Sequence, residues 1–110
     1  MTDNTAKIRE LNDLTRTAMG VVGRVYQTPG ITALDPRLQS KIRERVETFD
    51  QFTPDNDPYG EHDCALLQVD GVRVIWKIDY YDVNYELHSD DPADPTITRR
   101  VLTIMLAEEY

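Results

Sequence analysis

The densest chemistry in this 110-residue chain lies between residues 55 and 79. Asp70-Gly71 is its strongest short hairpin signal, because a type I′ turn needs positive φ at both central residues. With those residues as the turn, Val69 lies opposite Val72, Cys64 opposite Lys77 and His62 opposite Asp79. The last four then share one patch at the open end of the hairpin. A thiol beside an imidazole that a carboxylate orients is what nucleophilic catalysis requires, since the base lowers the thiol pKa and the acid fixes the base's tautomer. The same residue types also make a structural ion pair across strands beside a small, apolar cysteine. No second base or oxyanion donor is identifiable, so no catalytic residue is assigned and the patch is expected to be structural.

The segment before the hairpin offers a different chemistry. Asp55, Asp57, Glu61, His62 and Asp63 supply hard oxygen donors and one imidazole within nine positions, and Gly60 allows a turn that would gather them. Aspartates at the first and third positions and glycine at the sixth fit a calcium loop. Tyr59 at the fifth, Leu66 at the twelfth and a following strand do not. The carboxylates are read as acceptors for loop N–H groups, and neither metal nor other cofactor is expected. Gly-rich phosphate loops, CxxC pairs, nucleophile elbows and H-E-x-x-H are absent. Tyr80, Tyr81 and Tyr85 cluster without interleaved basic residues, which argues against a base-stacking platform.

Charge points outward from the same region. The formal net charge is −8, with eight Lys/Arg against five Asp/Glu over residues 1–45 but two against thirteen over 46–98. Such a field repels nucleic acid and attracts cations, or a protein surface that itself holds phosphates. Acidic residues also simply keep a domain soluble. Residues Asp55, Asp57, Tyr59, Glu61, His62, Asp79, Asp82, Asp90 and Asp91 are therefore expected to form a partner-binding surface.

The elements that must position these residues read as a single α+β domain over 1–110. Three helices are expected on one face of a small, mostly antiparallel sheet of about four strands. Ile8, Leu11, Leu14 and Ala18 recur at helical spacing between a cap at Asn4 or Thr5 and a stop at Gly20. Val21 to Gln27 reads as a strand closed by Thr28-Pro29-Gly30. Asp35-Pro36 opens a second helix striped by Leu38, Ile42, Val46 and Phe49. The hairpin strands are 64–69 and 72–81, with a weaker strand at Asn84 to His88. Asp94-Pro95 opens a last helix carrying Ile97, Val101, Leu102, Ile104, Met105 and Leu106, against which Trp76 is expected to be buried. On the hairpin, Ala65, Leu67, Val69, Val72, Val74, Trp76 and Ile78 form the apolar face. The start Met1-Thr2-Asp3-Asn4 lacks the features of a leader, no apolar run is long enough for a membrane span, and Cys64 has no partner for an internal disulfide. A cytoplasmic protein that meets neither membrane nor nucleic acid directly is expected; the oligomeric state stays open.

Several long motifs carry a resemblance: Phe52 to Asp63, Trp76-Lys77-Ile78-Asp79-Tyr80-Tyr81-Asp82, Asp91-Pro92-Ala93-Asp94-Pro95 and the ending Thr98 to Tyr110. Together they resemble a family of small bacterial proteins classed as a domain of unknown function, often carried on plasmids and integrated elements. The resemblance implies no activity or site residue; it implies a setting in which small acidic proteins act as counter-defence factors. The resulting expectation is a non-catalytic inhibitor, of anti-CRISPR or anti-restriction type, that blocks a basic nucleic-acid-binding surface on a host protein such as a CRISPR or restriction nuclease component. The alternatives are a small metal-assisted or thiol hydrolase centred on His62, and a regulatory protein-binding module.

Overall fold

The computed structural model describes residues 4–110. Residues 1–3, on which part of the reading against a leader rests, lie outside the described residues. The order of elements is α1 (Thr5–Thr17), β1 (Arg24–Gln27), α2 (Pro29–Thr32), α3 (Pro36–Glu47), β2 (Cys64–Val69), β3 (Val72–Tyr81) and β4 (Arg99–Leu106), then a final 3-10 turn (Ala107–Glu109). The fold is α+β, with three helices and one four-stranded mixed sheet in the order β1-β4-β3-β2. The β2–β3 and β3–β4 pairs are antiparallel, and the β1–β4 pair is parallel.

The hairpin forms about Asp70 (φ 50) and Gly71 (φ 82), with Val69 opposite Val72 and Cys64 opposite Lys77. Its apolar face supplies much of the core: Val69, Val74 and Trp76 are at most 1% exposed and join Ile31, Ile42, Val46, Leu102 and Ile104. Helix α3 begins as its cap and proline dictate. The Asp35 carboxylate accepts the Arg37 backbone N–H at 2.8 Å, and Pro36 fills the first helical position.

Three expectations give way. The last apolar segment is strand β4, not a helix, so Trp76 is buried against Phe49, Phe52 and Arg16 instead. The Asp94 carboxylate does accept from Thr96, but only a turn forms there: Val101, Thr103 and Ile104 are β-branched, and a strand flanked on both sides reads as a near-continuous apolar run. The segment 84–88 forms only a single bridge, Tyr81 to His88. There the Asp82 carboxylate accepts the N–H groups of Asn84 and Glu86 and turns the chain, and Tyr85 sits at φ 58. Strand β1 begins at Arg24 and not Val21, because Gly20 and Gly23 adopt φ of 82° and 78°. A Cβ on Gly23 would lie 2.8 Å from the Arg100 carbonyl oxygen, so β1 can approach β4 only with glycine there.

Helix α1 occupies the expected span but turns a different face inward. Leu14 is 46% exposed, whereas Asn12, Thr15 and Arg16 are buried. What α1 contributes to the interior is largely polar, and this positions the site.

Candidate functional site

The loop between α3 and β2 is built from its own hydrogen bonds. The Asn56 side chain accepts from the Thr53 N–H, Thr53 Oγ1 accepts from the Asn56 N–H, and the Asp57 and Gly60 N–H groups close turns onto Thr53 and Asp57 carbonyls. Gly60 (φ 70) and His62 (φ 55) both take left-handed backbone conformations. The chain therefore turns at His62 and enters β2 only at Cys64. The pairing of His62 with Asp79 does not form.

His62 is held elsewhere. Its Nδ1 lies 2.9 Å from Asp13 Oδ1, its Nε2 is 3.6 Å from Asp57 Oδ2, and its ring stacks on Phe52 at 3.7 Å and 5°. Asp57, only 8% exposed, also accepts the His62 N–H through Oδ1. Asp13 in turn accepts from Arg16 Nη2 at 3.1 Å, and Arg16 Nη1 donates to the Val46 and Glu47 carbonyls that end α3. Both imidazole nitrogens thus face carboxylates of the fold, and neither faces an open nucleophile.

A second network adjoins the first. Arg100 Nε donates to Asn12 Oδ1 at 2.7 Å; Asn12 Nδ2 donates to the Tyr80 hydroxyl at 2.7 Å and to the Glu61 carbonyl; the Tyr80 hydroxyl donates to Glu61 Oε1 at 2.8 Å. Arg100 Nη2 also donates to the Pro92 carbonyl at 2.6 Å, and Arg9 Nε donates to the Gly60 carbonyl. Burial, reinforced by the Glu61 carboxylate, pushes the Tyr80 phenol well above its ordinary value, so it stays a donor. Burial lowers Arg100 below the usual arginine value. These contacts tie α1, the 57–62 loop, β3, β4 and the 89–95 loop together.

The remaining members of the predicted patch separate from His62. Lys77 pairs with Asp79 at 2.9 Å, which raises the lysine pKa. Cys64 is exposed opposite Lys77, and its thiol pKa is raised by partial desolvation and by the Asp63 and Asp57 charges. Thiolate chemistry is disfavoured on both counts. At pH 7.5, Cys64 should therefore react with a water-soluble disulfide reagent more slowly than free cysteine; a faster rate would reinstate the thiol reading.

Asp63 is raised first by desolvation and then by Glu61, Asp57 and Asp79. A carboxyl whose folded pKa exceeds its unfolded value binds protons more tightly when folded. Its penalty on stability is full above the folded pKa and fades as pH falls toward the ordinary 3.8. Asp63→Asn should accordingly raise the melting temperature at pH 7, with the gap to wild type closing below about pH 4. A variant that melts lower at pH 7, with the gap vanishing at pH 3, would show that the carboxylate is stabilising.

Among the predicted surface residues, Asp55, Tyr59 and Asp90 are exposed. Asp82 and Asp91 are half-buried and accept backbone N–H groups in turns, which at Asp82 lowers the carboxyl pKa. Asp57, Glu61, His62 and Asp79 are engaged as described. No group of three or more His, Cys, Asp or Glu among the described residues is arranged to hold a metal ion. A depression of about 470 Å³ lies over Cys64, Leu66, Ile75, Lys77 and Asp79, but His62 does not line it. Asn12, Asp13, Arg16 and Arg100 are not singled out by the sequence, and Tyr80 stands out there only as part of an aromatic cluster. Their signal was present in Arg9, Asn12, Asp13 and Arg16, whose i, i+3, i+4, i+7 spacing is a helix face as regular as any apolar stripe.

A family model described as a protein of unknown function (DUF3768) matches residues 27–109. No curated protein and no solved structure matches the chain. No helix among the described residues is long and apolar enough to cross a membrane.

Proposed function

The chain belongs to the DUF3768 family of proteins of unknown function, and from that premise we propose that it is a non-catalytic binding protein of mobile-element type. It presents carboxylates to a basic, nucleic-acid-binding surface of a host protein, as a counter-defence inhibitor of a CRISPR or restriction nuclease does. The observation that carries this reading is a division of labour among the acids. Asp57, Glu61 and Asp13 are consumed in holding the loop, while the side-chain carboxylates of Asp55, Glu86 and Asp90 are exposed and make no hydrogen bond or ion pair among the described residues. The thirteen-to-two excess of acid over base across residues 46–98 favours a basic partner, and exposed charge acts chiefly on encounter. A hydrolase centred on His62 is disfavoured because both ring nitrogens are turned to structural carboxylates.

Because Asp57 and Glu61 hold the fold, the surface is best tested through Asp55→Asn, Glu86→Gln and Asp90→Asn together. Immobilised protein should capture a nucleic-acid-binding protein from a bacterial host lysate. Heparin, a polyanion, and 0.5 M salt should both release it, and the triple variant should capture markedly less. Capture that withstands heparin and is unchanged in the variant would exclude the acidic-surface mechanism.

A further inference from the structure

Strand β2 is an edge of the sheet, and nothing protects it. Natural sheets blunt their edges with lysine, proline, bulges or very short strands. The opposite edge, β1, is four residues long, begins at the charged, exposed Arg24 and is followed within two residues by Pro29. By contrast, β2 is six residues of Cys64-Ala65-Leu66-Leu67-Gln68-Val69, without charge, proline, glycine or bulge, in a chain that is 29% charged. Leu66 is 52% exposed on it.

The register fixes which backbone groups are free. A two-residue turn makes Val69 and Val72 a hydrogen-bonded pair, so Leu67 and Ala65 also bond to β3, and the Ile78 N–H donation to the Asp63 carbonyl continues the same alternation. Cys64, Leu66 and Gln68 therefore aim N–H and C=O away from β3, and no other described group bonds to them. Such a row, spaced two residues apart, matches the pairing groups of another extended chain.

We propose that this row is satisfied by a second copy of the chain, β2 pairing antiparallel with β2 across a two-fold axis at Leu66. That register makes Leu66 exchange both hydrogen bonds with its own counterpart and sets Cys64 opposite Gln68 of the other copy. Charge beside the edge matches the same axis. A groove of about 300 Å³ separates β2 from the end of α3 and is lined by Arg45, Phe49, Asp50, Leu66 and Gln68 among others. Lys41 pairs with Asp70 at one end of β2, while Phe49 and Phe52 pack on Trp76, which lies opposite Ala65, toward the other. Helix α3 thus runs antiparallel to β2, with Arg45 toward Gln68 and Asp50 toward Cys64. The two-fold brings Arg45 of one copy against Asp50 of the other; both are exposed and without an ion-pair partner among the described residues. The charge of −8 per copy does not oppose this contact locally, since β2 is neutral and α3 carries four Lys/Arg against two Glu.

The experiment is a mass measurement by light scattering at about 100 μM in 0.15 M salt, joined to a register test. Wild type should have twice the 12.7 kDa chain mass. Leu66→Lys, a change at an exposed position, should give the single-chain mass with an unaltered circular dichroism spectrum. Arg45→Asp and Asp50→Arg should each weaken the dimer about three- to tenfold, and the double swap should restore it. With oxidised glutathione as electron acceptor, Gln68→Cys should give a covalent dimer through Cys64, two thiols losing two electrons and two protons per bond formed, while wild type should not cross-link. A wild-type monomer at this concentration, a dimeric Leu66→Lys, or a wild type that cross-links through Cys64 as readily as Gln68→Cys would overturn the proposal. So would a monomer whose β2 amide resonances shift only when a foreign extended peptide is added.

Discussion

Trp76→Ala should destabilise the protein by about 3–5 kcal/mol, the range for removing a large buried aromatic. The indole is fully buried at the centre of β3, meets Phe49 and Phe52 edge-on at 6.0 and 6.1 Å, and has the Arg16 guanidinium carbon 5.3 Å from its centroid. Truncation leaves a cavity beside Phe49 and Phe52 and removes a π surface from a buried cation, so two costs fall on one site. Domains of this size are stable by roughly 5–15 kcal/mol, and the variant should unfold at much lower urea with an unchanged slope. A loss under about 1 kcal/mol would mean that the core closes around the gap, which the stack of Phe52 on His62 should prevent.

Asn12→Ala should cost nearly as much, about 2–4 kcal/mol, although it removes only a small amide. Asn12 is fully buried and serves three groups at once. Without it, the buried Arg100 Nε loses its acceptor and the Tyr80 hydroxyl its donor. An orphaned buried charge costs more than the hydrogen bond that served it was worth. The test is a double-mutant cycle: Arg100→Met removes the stranded charge, so the double variant should lose clearly less than the two single losses combined. Additive losses in chemical denaturation would show that Asn12 and Arg100 act separately.

How much of this was legible in the sequence depended on whether the signal was local. Asp70-Gly71 dictates its turn from two residues, and register, faces and the burial of Trp76 follow by counting. Asp35-Pro36 is equally local. Residues 99–106 were not, because Val101 to Leu106 suits a buried helix or a strand flanked on both sides, and the choice depends on β1 and β3 arriving as neighbours. Register arithmetic failed at His62 because it assumes that the strand continues. Instead His62 takes φ 55 and its ring turns to Asp13, forty-nine residues away. The polar networks were hidden by a convention: polar residues at helical spacing on α1 suggest a solvated face, yet Asn12 and Arg16 are interior. The partner surface was legible as composition only, since which carboxylates are free depends on which ones the fold consumes.

The central claim is that free surface carboxylates, not the His62 networks, carry the function. Its most direct measurement is the rate at which the captured host protein, once isolated, associates with wild type and with the Asp55→Asn/Glu86→Gln/Asp90→Asn variant between 0.05 and about 0.5 M salt, where the Debye length shrinks to a few ångströms. The account predicts that wild type associates several times faster than the variant at low salt, that the two rates converge as salt rises, and that dissociation changes little. Equal association rates at low salt would contradict it.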